Sequence, residues 1–162
     1  MLGLPPVIAE ITAAALVGQR RVRESISRSA ASPLASTDIF TFSETAKGHE
    51  VTGFDFLEEA IQSAKRKAVE RGIIAMFLVQ DALKLREWAV QFDNVIDSGL
   101  FHVFSDEDRV LYVLGLKAVL KPPGHLFLAC FSDQTPGTQG PRRVSQNELN
   151  RCILRRLGNQ IH

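Results

Sequence analysis

An α/β fold, built on a Rossmann-like doubly wound and mostly parallel sheet, is predicted by three features of this sequence. Short apolar runs at 51–54, 74–79, 94–97 and 125–131 alternate with helical patterns at 57–71 and 106–120, as in parallel strands joined by crossover helices. The runs are uninterrupted, as expected of strands buried on both faces. Two of them lead into a carboxylate, Asp55 and Asp81, before a turn or helix begins. Acidic side chains are thereby delivered to the carboxyl edge, where sheets of this kind bind ligands.

Taken in order, residues 7–17 are a helix candidate opened by Pro5-Pro6, where missing backbone donors do little harm. Residues 24–46 are rich in Ser, Thr and Ala, contain Pro33 and have no clean period, which predicts an irregular stretch. Val51 to Phe54 reads as a strand. Over 57–71, Leu57, Ile61, Ala64 and Ala68 share a face, with Glu58 and Glu59 in the first turn and Lys65, Arg66, Lys67 and Arg71 near the end. Gly72 supplies the stop. Ile74 to Val79 and Asn94 to Asp97 are the next strands. Ser105 caps a helix over 106–120 that has Val110, Val113, Leu114 and Ala118 on its buried face. Lys121-Pro122-Pro123-Gly124 ends it, and His125 to Phe131 is a further strand. The Gly- and Pro-bearing stretch Ser132–Ser145 reads as a loop at the carboxyl edge, placed to cover a site.

The 162 residues suit a single domain over 1–162, with a recognisable core at 48–149. A formal net charge of +1 argues against a nucleic-acid surface or a polybasic membrane surface. Clusters at Arg20-Arg21-Arg23, Lys65-Arg66-Lys67 and Arg142-Arg143 read as solvated faces. Cys130 and Cys152 have neither metal spacing nor disulfide density, so no metal site is expected, and Cys130 reads as a small buried hydrophobe. No apolar run reaches the roughly 18 residues that span a bilayer. Pro5-Pro6 and Glu10 interrupt the apolar start and no basic residues precede it, which argues against a signal peptide and for the cytoplasm.

A strand-end aspartate accepts two hydrogen bonds from a vicinal diol, which makes a ribose-bearing ligand the first candidate. Helix caps and turns are the bland alternative for such residues. His102, between Phe101 and Phe104, is either a partly buried histidine or a base. Arg142 and Arg143 are either a solvated pair or substrate-pocket residues that contact a cofactor carboxylate or an anionic substrate, since a guanidinium fork fits a carboxylate. Trp88 and Phe92 read as packing.

Four segments in order carry a resemblance: Gly48-His49-Glu50-Val51-Thr52-Gly53-Phe54-Asp55, Gln80-Asp81-Ala82, Phe92-Asp93-Asn94-Val95-Ile96-Asp97-Ser98-Gly99-Leu100-Phe101-His102, and Leu120-Lys121-Pro122-Pro123-Gly124-His125-Leu126. From Gly48 to about Leu149 the chain resembles the class I S-adenosylmethionine-dependent methyltransferases, in particular the small-molecule branch with the thiopurine and halide/thiol enzymes. The resemblance implies S-adenosylmethionine as cofactor and a small-molecule methyl acceptor. It implies that Asp55 holds the ribose hydroxyls, Phe56 packs on the adenine, Asp81 accepts from the adenine amino group and Ala82 reads the ring edge through its backbone. Asp97 and Ser98 would lie beside the methionine half, and Phe101 and His102 at the pocket where transfer occurs. No catalytic residue is assigned, because a thiolate or halide acceptor needs positioning more than acid-base help.

The chain also departs from the pattern. The family's first strand ends in an acidic residue and a turn of the form Gly-x-Gly-x-Gly. Arg20-Arg21-Val22 stands where that strand would begin, but Glu24 to Lys47 has no glycine. Position 123 is proline where the family usually has glycine. After Glu148-Leu149 the family continues with a Phe-x-x-Gly-Trp turn and two closing strands. Here Ile153 to His162 follows instead, a stretch that can be encoded so that the +1 frame reads Phe-Phe-Asp-Gly-Trp-Glu-Ile-Lys-Ser. The expectation is therefore a sheet truncated at its C-terminal strands, impaired transfer, and self-association through an unfinished edge. The alternatives are a non-catalytic binding domain of the same fold or a nicotinamide-dinucleotide domain. The second would need a Gly-x-Gly-x-x-Gly turn, which the sequence lacks.

Overall fold

A computed structural model describes residues 49–137 and 141–157, together with the backbone of 13–18. The strands are β1 (Ala13–Gly18), β2 (Glu50–Asp55), β3 (Met76–Val79), β4 (Phe92–Ser98) and β5 (Leu120–Ala129). They form one sheet in the order β3-β2-β1-β4-β5. β2 pairs with β3 and β4 with β5 in parallel, while β1 runs antiparallel to both of its neighbours. The sheet is therefore mostly parallel. Its strand order turns back between β1 and β4, the switch point where doubly wound sheets open a crevice.

β1 corrects the sequence reading. Residues 13–17, inside the expected helix, are strand, because the backbone of Ala13–Gly18 pairs on both sides. Two ladders of backbone hydrogen bonds outweigh the helix preference of an alanine run, which is only tenths of a kcal/mol per residue. Residues 7–12, Arg20-Arg21-Val22, the stretch 24–46 and the end of the tail lie outside the described residues.

Helix α1 (Glu58–Glu70) follows β2. Its Ile61, Ala64 and Ala68 pack with Phe77 of β3 on one face of the sheet. Leu57, expected on that face, is instead the N-cap residue and is exposed. Gly72 ends the helix region with φ +64, which suits a residue without a Cβ.

Helix α2 (Asp106–Val119) covers the opposite face, capped by Ser105, whose side chain accepts from the Asp108 amide. Its fully buried positions are Arg109, Tyr112, Val113, Gly115, Leu116 and Val119. Of the four expected residues only Val113 is among them. The helix is rotated because it packs on two partners at once, the sheet and the 3₁₀ segment Ala82–Glu87. Gly115 permits that approach, since a Cβ there would meet Leu85 Cβ at 2.8 Å. Phe54, Leu85, Val95, Leu116 and Leu126 join this main core. Trp88 meets Phe54 edge-on at 5.3 Å, and Phe92 packs against the same cluster, as expected of both.

Burial on both faces of every strand is not observed. Phe127 of β5 is 53% exposed and Met76 of β3 is 59% exposed. Among the described residues α1 covers only the β2–β3 end of its face, leaving Phe127 uncovered. Lys121 to Gly124 follow the helix end as expected and are counted in β5, as the irregular part of its ladder between the pairings of Phe92 with Leu120 and of Asn94 with His125. Pro122 and Pro123 lie in that irregularity, where no ladder hydrogen bond is required of them. The strand ends at Ala129, before Phe131.

Candidate functional site

Two recesses lie at the carboxyl edge of the sheet. The first is a crevice of about 90 Å³ that brings together Asp55, Phe56, Asp81, Ala82, Leu100 and Phe104. Asp55 ends β2 opposite Val79 of β3, and Asp81 follows two residues later, so neighbouring strands aim both carboxylates at one place. Asp55 is 8% exposed and its Oδ1 accepts from the Leu57 amide at 2.8 Å. Burial raises its carboxyl above the ordinary range, with the Leu57 and Phe56 amides opposing that rise. Asp81 is exposed and its Oδ1 accepts from the Leu83 amide at 2.9 Å, capping the 3₁₀ segment. The cap and ligand readings thus coexist, since a carboxylate has about four lone-pair sites and one amide uses one of them. Phe56 leaves its ring 62% exposed beside the crevice.

Asp97 is placed differently. It is fully buried, and its oxygens accept from the Leu100 amide at 2.7 Å, the Phe101 amide at 3.1 Å and the Tyr112 hydroxyl at 3.0 Å. Burial lifts its carboxyl to about 6 although these donors favour the ion. Its side chain holds the turn after β4 and does not line either recess. Phe101 likewise belongs to the core, fully buried under the Arg109 guanidinium, which lies 4.7 Å from its ring centroid.

The second recess, a cleft of about 400 Å³, is lined by Ser98, His102, Cys130, Phe131 and Thr135. His102 is 2% exposed, and its Nδ1 accepts from the Phe131 amide at 3.2 Å. Burial lowers its pKa, and the Arg109 and Arg143 cations lower it further. Burial pushes the Cys130 thiol up, consistent with its expected role as a packed hydrophobe.

Neither expected arginine points into the cleft. Arg142 pairs with Asp106 and Glu148 on the surface. Arg143 donates to the carbonyls of Pro141 at 2.9 Å, Gly137 at 3.1 Å and Thr135 at 3.4 Å, and its guanidinium lies over the Phe131 ring. It holds the loop that follows β5, and that loop contributes Thr135 to the cleft. Ser145 and Glu148 form a reciprocal capping box at the start of the helical segment that opens with Gln146–Leu149.

Sequence reasoning missed Tyr112 and Arg109. Arg109 is fully buried; it donates to the Phe101 carbonyl at 3.1 Å and approaches Glu148 at 3.6 Å. The available signal was its position on the apolar face of α2, where a cation needs buried acceptors. Tyr112 carries no such signal, because its partner lies fifteen residues away on another element.

Known proteins are similar to this chain in sequence and fold. A family model described as a methyltransferase domain matches residues 35–156. A 2-heptyl-1-hydroxyquinolin-4(1H)-one methyltransferase of Mycobacteroides abscessus is 32% identical over 110 residues, covering 66% of this chain and 48% of its own. A solved structure described as "Conversion of a Disulfide Bond into a Thioacetal Group during Echinomycin Biosynthesis" superposes with a TM-score of 0.60 at 30% identity, covering 68% of this chain and 54% of that one. TehB from Haemophilus influenzae shares the fold, with a TM-score of 0.56 at 16% identity over 67% of this chain and 38% of its own. The chain therefore spans about half the length of the mycobacterial relative. With three quarters of its length inside the family match and its strand order turning back beside two strand-end carboxylates, the chain belongs to the methyltransferase domain family.

Proposed function

We propose that this protein binds S-adenosylmethionine and transfers its methyl group to a small molecule. The observation that carries the reading is the crevice shared by Asp55, Phe56, Asp81 and Ala82. A ribose diol fits a strand-end carboxylate, and an adenine fits between an exposed aromatic ring and an acceptor at its amino edge. The residues present thus suit the adenosine half of the cofactor. Bound there, the cofactor would supply an activated methyl on a sulfonium. Asp55 and Asp81 orient the nucleoside, and Ser98 at the end of β4 faces the adjoining cleft, where the acceptor sits. The acceptor is a small molecule carrying a nucleophile, in line with the quinolone named for the mycobacterial relative. A cytoplasmic site of action accords with two free, half-buried thiols.

A second reading, a binding domain with transfer impaired, has one observation in its favour. The amino end of β1 stands at the carboxylate edge, with Ala13 opposite Ser98, and the strand ends at Gly18 opposite Glu50 on the far edge. A turn directly after β1 therefore starts away from the methionine half, whose sulfonium must sit at near-attack distance for transfer. Self-association through the exposed Met76 and Val79 of the outer strand β3 accords with the same reading.

Calorimetric titration with S-adenosylhomocysteine, followed by transfer assays on a panel of thiols and halides, separates the two. Binding with turnover is the expected result. Binding without turnover selects the second reading, and an absence of binding removes both.

A further inference from the structure

The imidazole at the cleft is committed to one hydrogen-bonding sense. The backbone amide of Phe131 donates to His102 Nδ1 at 3.2 Å. An amide N–H only donates, so Nδ1 carries the lone pair and the proton of the neutral ring resides on Nε2. That Nε2 is buried and has no hydrogen-bond partner among the described residues. An unpaired buried donor is costly, and the cost is recovered when an acceptor arrives. The ring borders the cleft of about 400 Å³ together with Ser98, Cys130 and Thr135. Arg109 on α2 and Arg143 on the following loop add positive charge nearby, which disfavours a second proton on the ring.

We propose that His102 donates its Nε2–H to the nucleophilic atom of the methyl acceptor and is not a general base. The inference rests on the methyl-transfer reading and narrows its substrate class to small molecules already anionic near neutral pH: thiolates, halides, or acidic N-hydroxy and phenolic oxygens. With such an acceptor the nucleophile's lone pair forms the bond to the methyl carbon while the methyl–sulfur bond of the sulfonium breaks. The negative and positive charges cancel and no proton has to leave. A neutral amine has one lone pair, which forms the new bond and leaves none to accept from Nε2–H; a neutral alcohol would need a base here. Nδ1 is occupied by the Phe131 amide and Nε2 already holds its proton, so the ring cannot serve as one.

Nitrogen-15 NMR of the histidine-labelled chain reads the tautomer directly, with the His102 signals assigned from a His102→Gln variant. A bare Nδ1 and a protonated Nε2 are expected across neutral pH, with the Nε2 signal shifting when 4-nitrobenzenethiolate is added. His102→Gln keeps a donor near the Nε2 position but holds no titratable proton; it should bind the thiolate within a few-fold of the parent. His102→Phe should weaken that binding roughly 10- to 100-fold, as for a charge-assisted hydrogen bond. In turnover, the loss in His102→Phe should fall mainly on KM. The pH profile should follow the ionisation of each thiophenol in a series of graded acidity, and should be unchanged in His102→Gln. A proton on Nδ1, equal thiolate binding by parent and His102→Phe, or a pH limb that is the same for every thiophenol and vanishes in His102→Gln would overturn the proposal. Failure of S-adenosylhomocysteine to bind removes the methyl-transfer reading and leaves His102 as a donor to a bound anion only, which the tautomer and the thiolate titration read without cofactor.

Discussion

The hydroxyl of Tyr112 donates to the carboxylate of Asp97 at 3.0 Å, and both residues are fully buried. This contact ties α2 to the end of β4 beneath the turn that carries Phe101 and His102. With the Leu100 and Phe101 amides it surrounds Asp97 with protein donors, so the carboxylate braces the turn after β4 and lines neither recess.

A first prediction follows from the pH response of that carboxylate. Burial raises it to about 6, so the folded state holds its proton more tightly than the unfolded chain does. Between roughly pH 4 and 6 the folded state then binds more protons, and stability falls as pH rises. Urea titrations of the parent and Asp97→Asn should diverge over that window. The parent should lose on the order of 2–3 kcal/mol relative to the variant between pH 4 and 7. Parallel curves would mean that the three donors cancel the cost of burial.

Tyr112→Phe keeps the ring, including its contact with Phe104 at 5.0 Å, and removes only the donor. The buried carboxylate then loses a partner. The cost should be about 1.5–3 kcal/mol by urea denaturation at neutral pH, as for a hydrogen bond to a charged group. A loss within experimental error would assign the weight of the cluster to the two amides.

The alternation of apolar runs with amphipathic segments was enough to read β2, α1, β3, β4, α2 and β5, because each is set by a local period. The strand-end placement of Asp55 and Asp81 was legible for the same reason. What failed depended on partners distant in sequence. The strand at Ala13–Gly18 exists because two ladders close on it, and the rotation of α2 because Leu85 approaches Gly115. Asp97 ends an apolar strand just as Asp55 does; only the fold reveals that one carboxylate points into the core and the other borders a crevice. The guanidiniums of Arg142 and Arg143 are likewise taken up by carboxylates and carbonyls that their own dipeptide could not announce.

Binding and folding should separate at the crevice. Asp55→Ala should weaken S-adenosylhomocysteine by about 1.5–3 kcal/mol, the range for a charge-assisted hydrogen bond. Asp81→Ala should weaken it as well, and should also lose about 0.5–2 kcal/mol of stability through the missing cap on Ala82–Glu87. Titration isotherms unchanged in both variants would show the crevice to be wrongly assigned.

Gly115→Ala inserts a Cβ at 2.8 Å from that of Leu85, with the Leu85 Cα and Arg86 amide nitrogen 3.6 Å away. The nearest atom is close to the backbone, so the 3₁₀ segment must move as a whole. Overpacking of this kind costs about 1–3 kcal/mol. Because Asp81 caps the same segment, the variant should also weaken nucleoside binding. Full stability with normal binding would mean that α2 and the segment are looser than their packing indicates.

Arg143 is the last test, because it links the loop to the cleft. Its guanidinium gathers three carbonyls of 135–141 and lies over Phe131, whose amide holds His102 Nδ1. Arg143→Lys keeps the charge but loses the planar fork that meets several acceptors at once. The loop is partly exposed, so the loss should be local: about 1 kcal/mol in opening free energy, with global stability nearly unchanged. Hydrogen exchange should report it at the amides of Asp133 and Val144, which bridge the two sides of the loop at 3.3 and 2.8 Å. Arg142→Ala gives the contrast. Its partners are Asp106 and Glu148 on the exposed side, where ion pairs contribute little, and the exchange of Asp133 and Val144 should stay as in the parent. Faster exchange in Arg142→Ala than in Arg143→Lys would move the anchor of the loop to the capping box of Ser145 and Glu148. The orientation of His102 would then depend on the helical segment that begins at Gln146 and not on the loop itself.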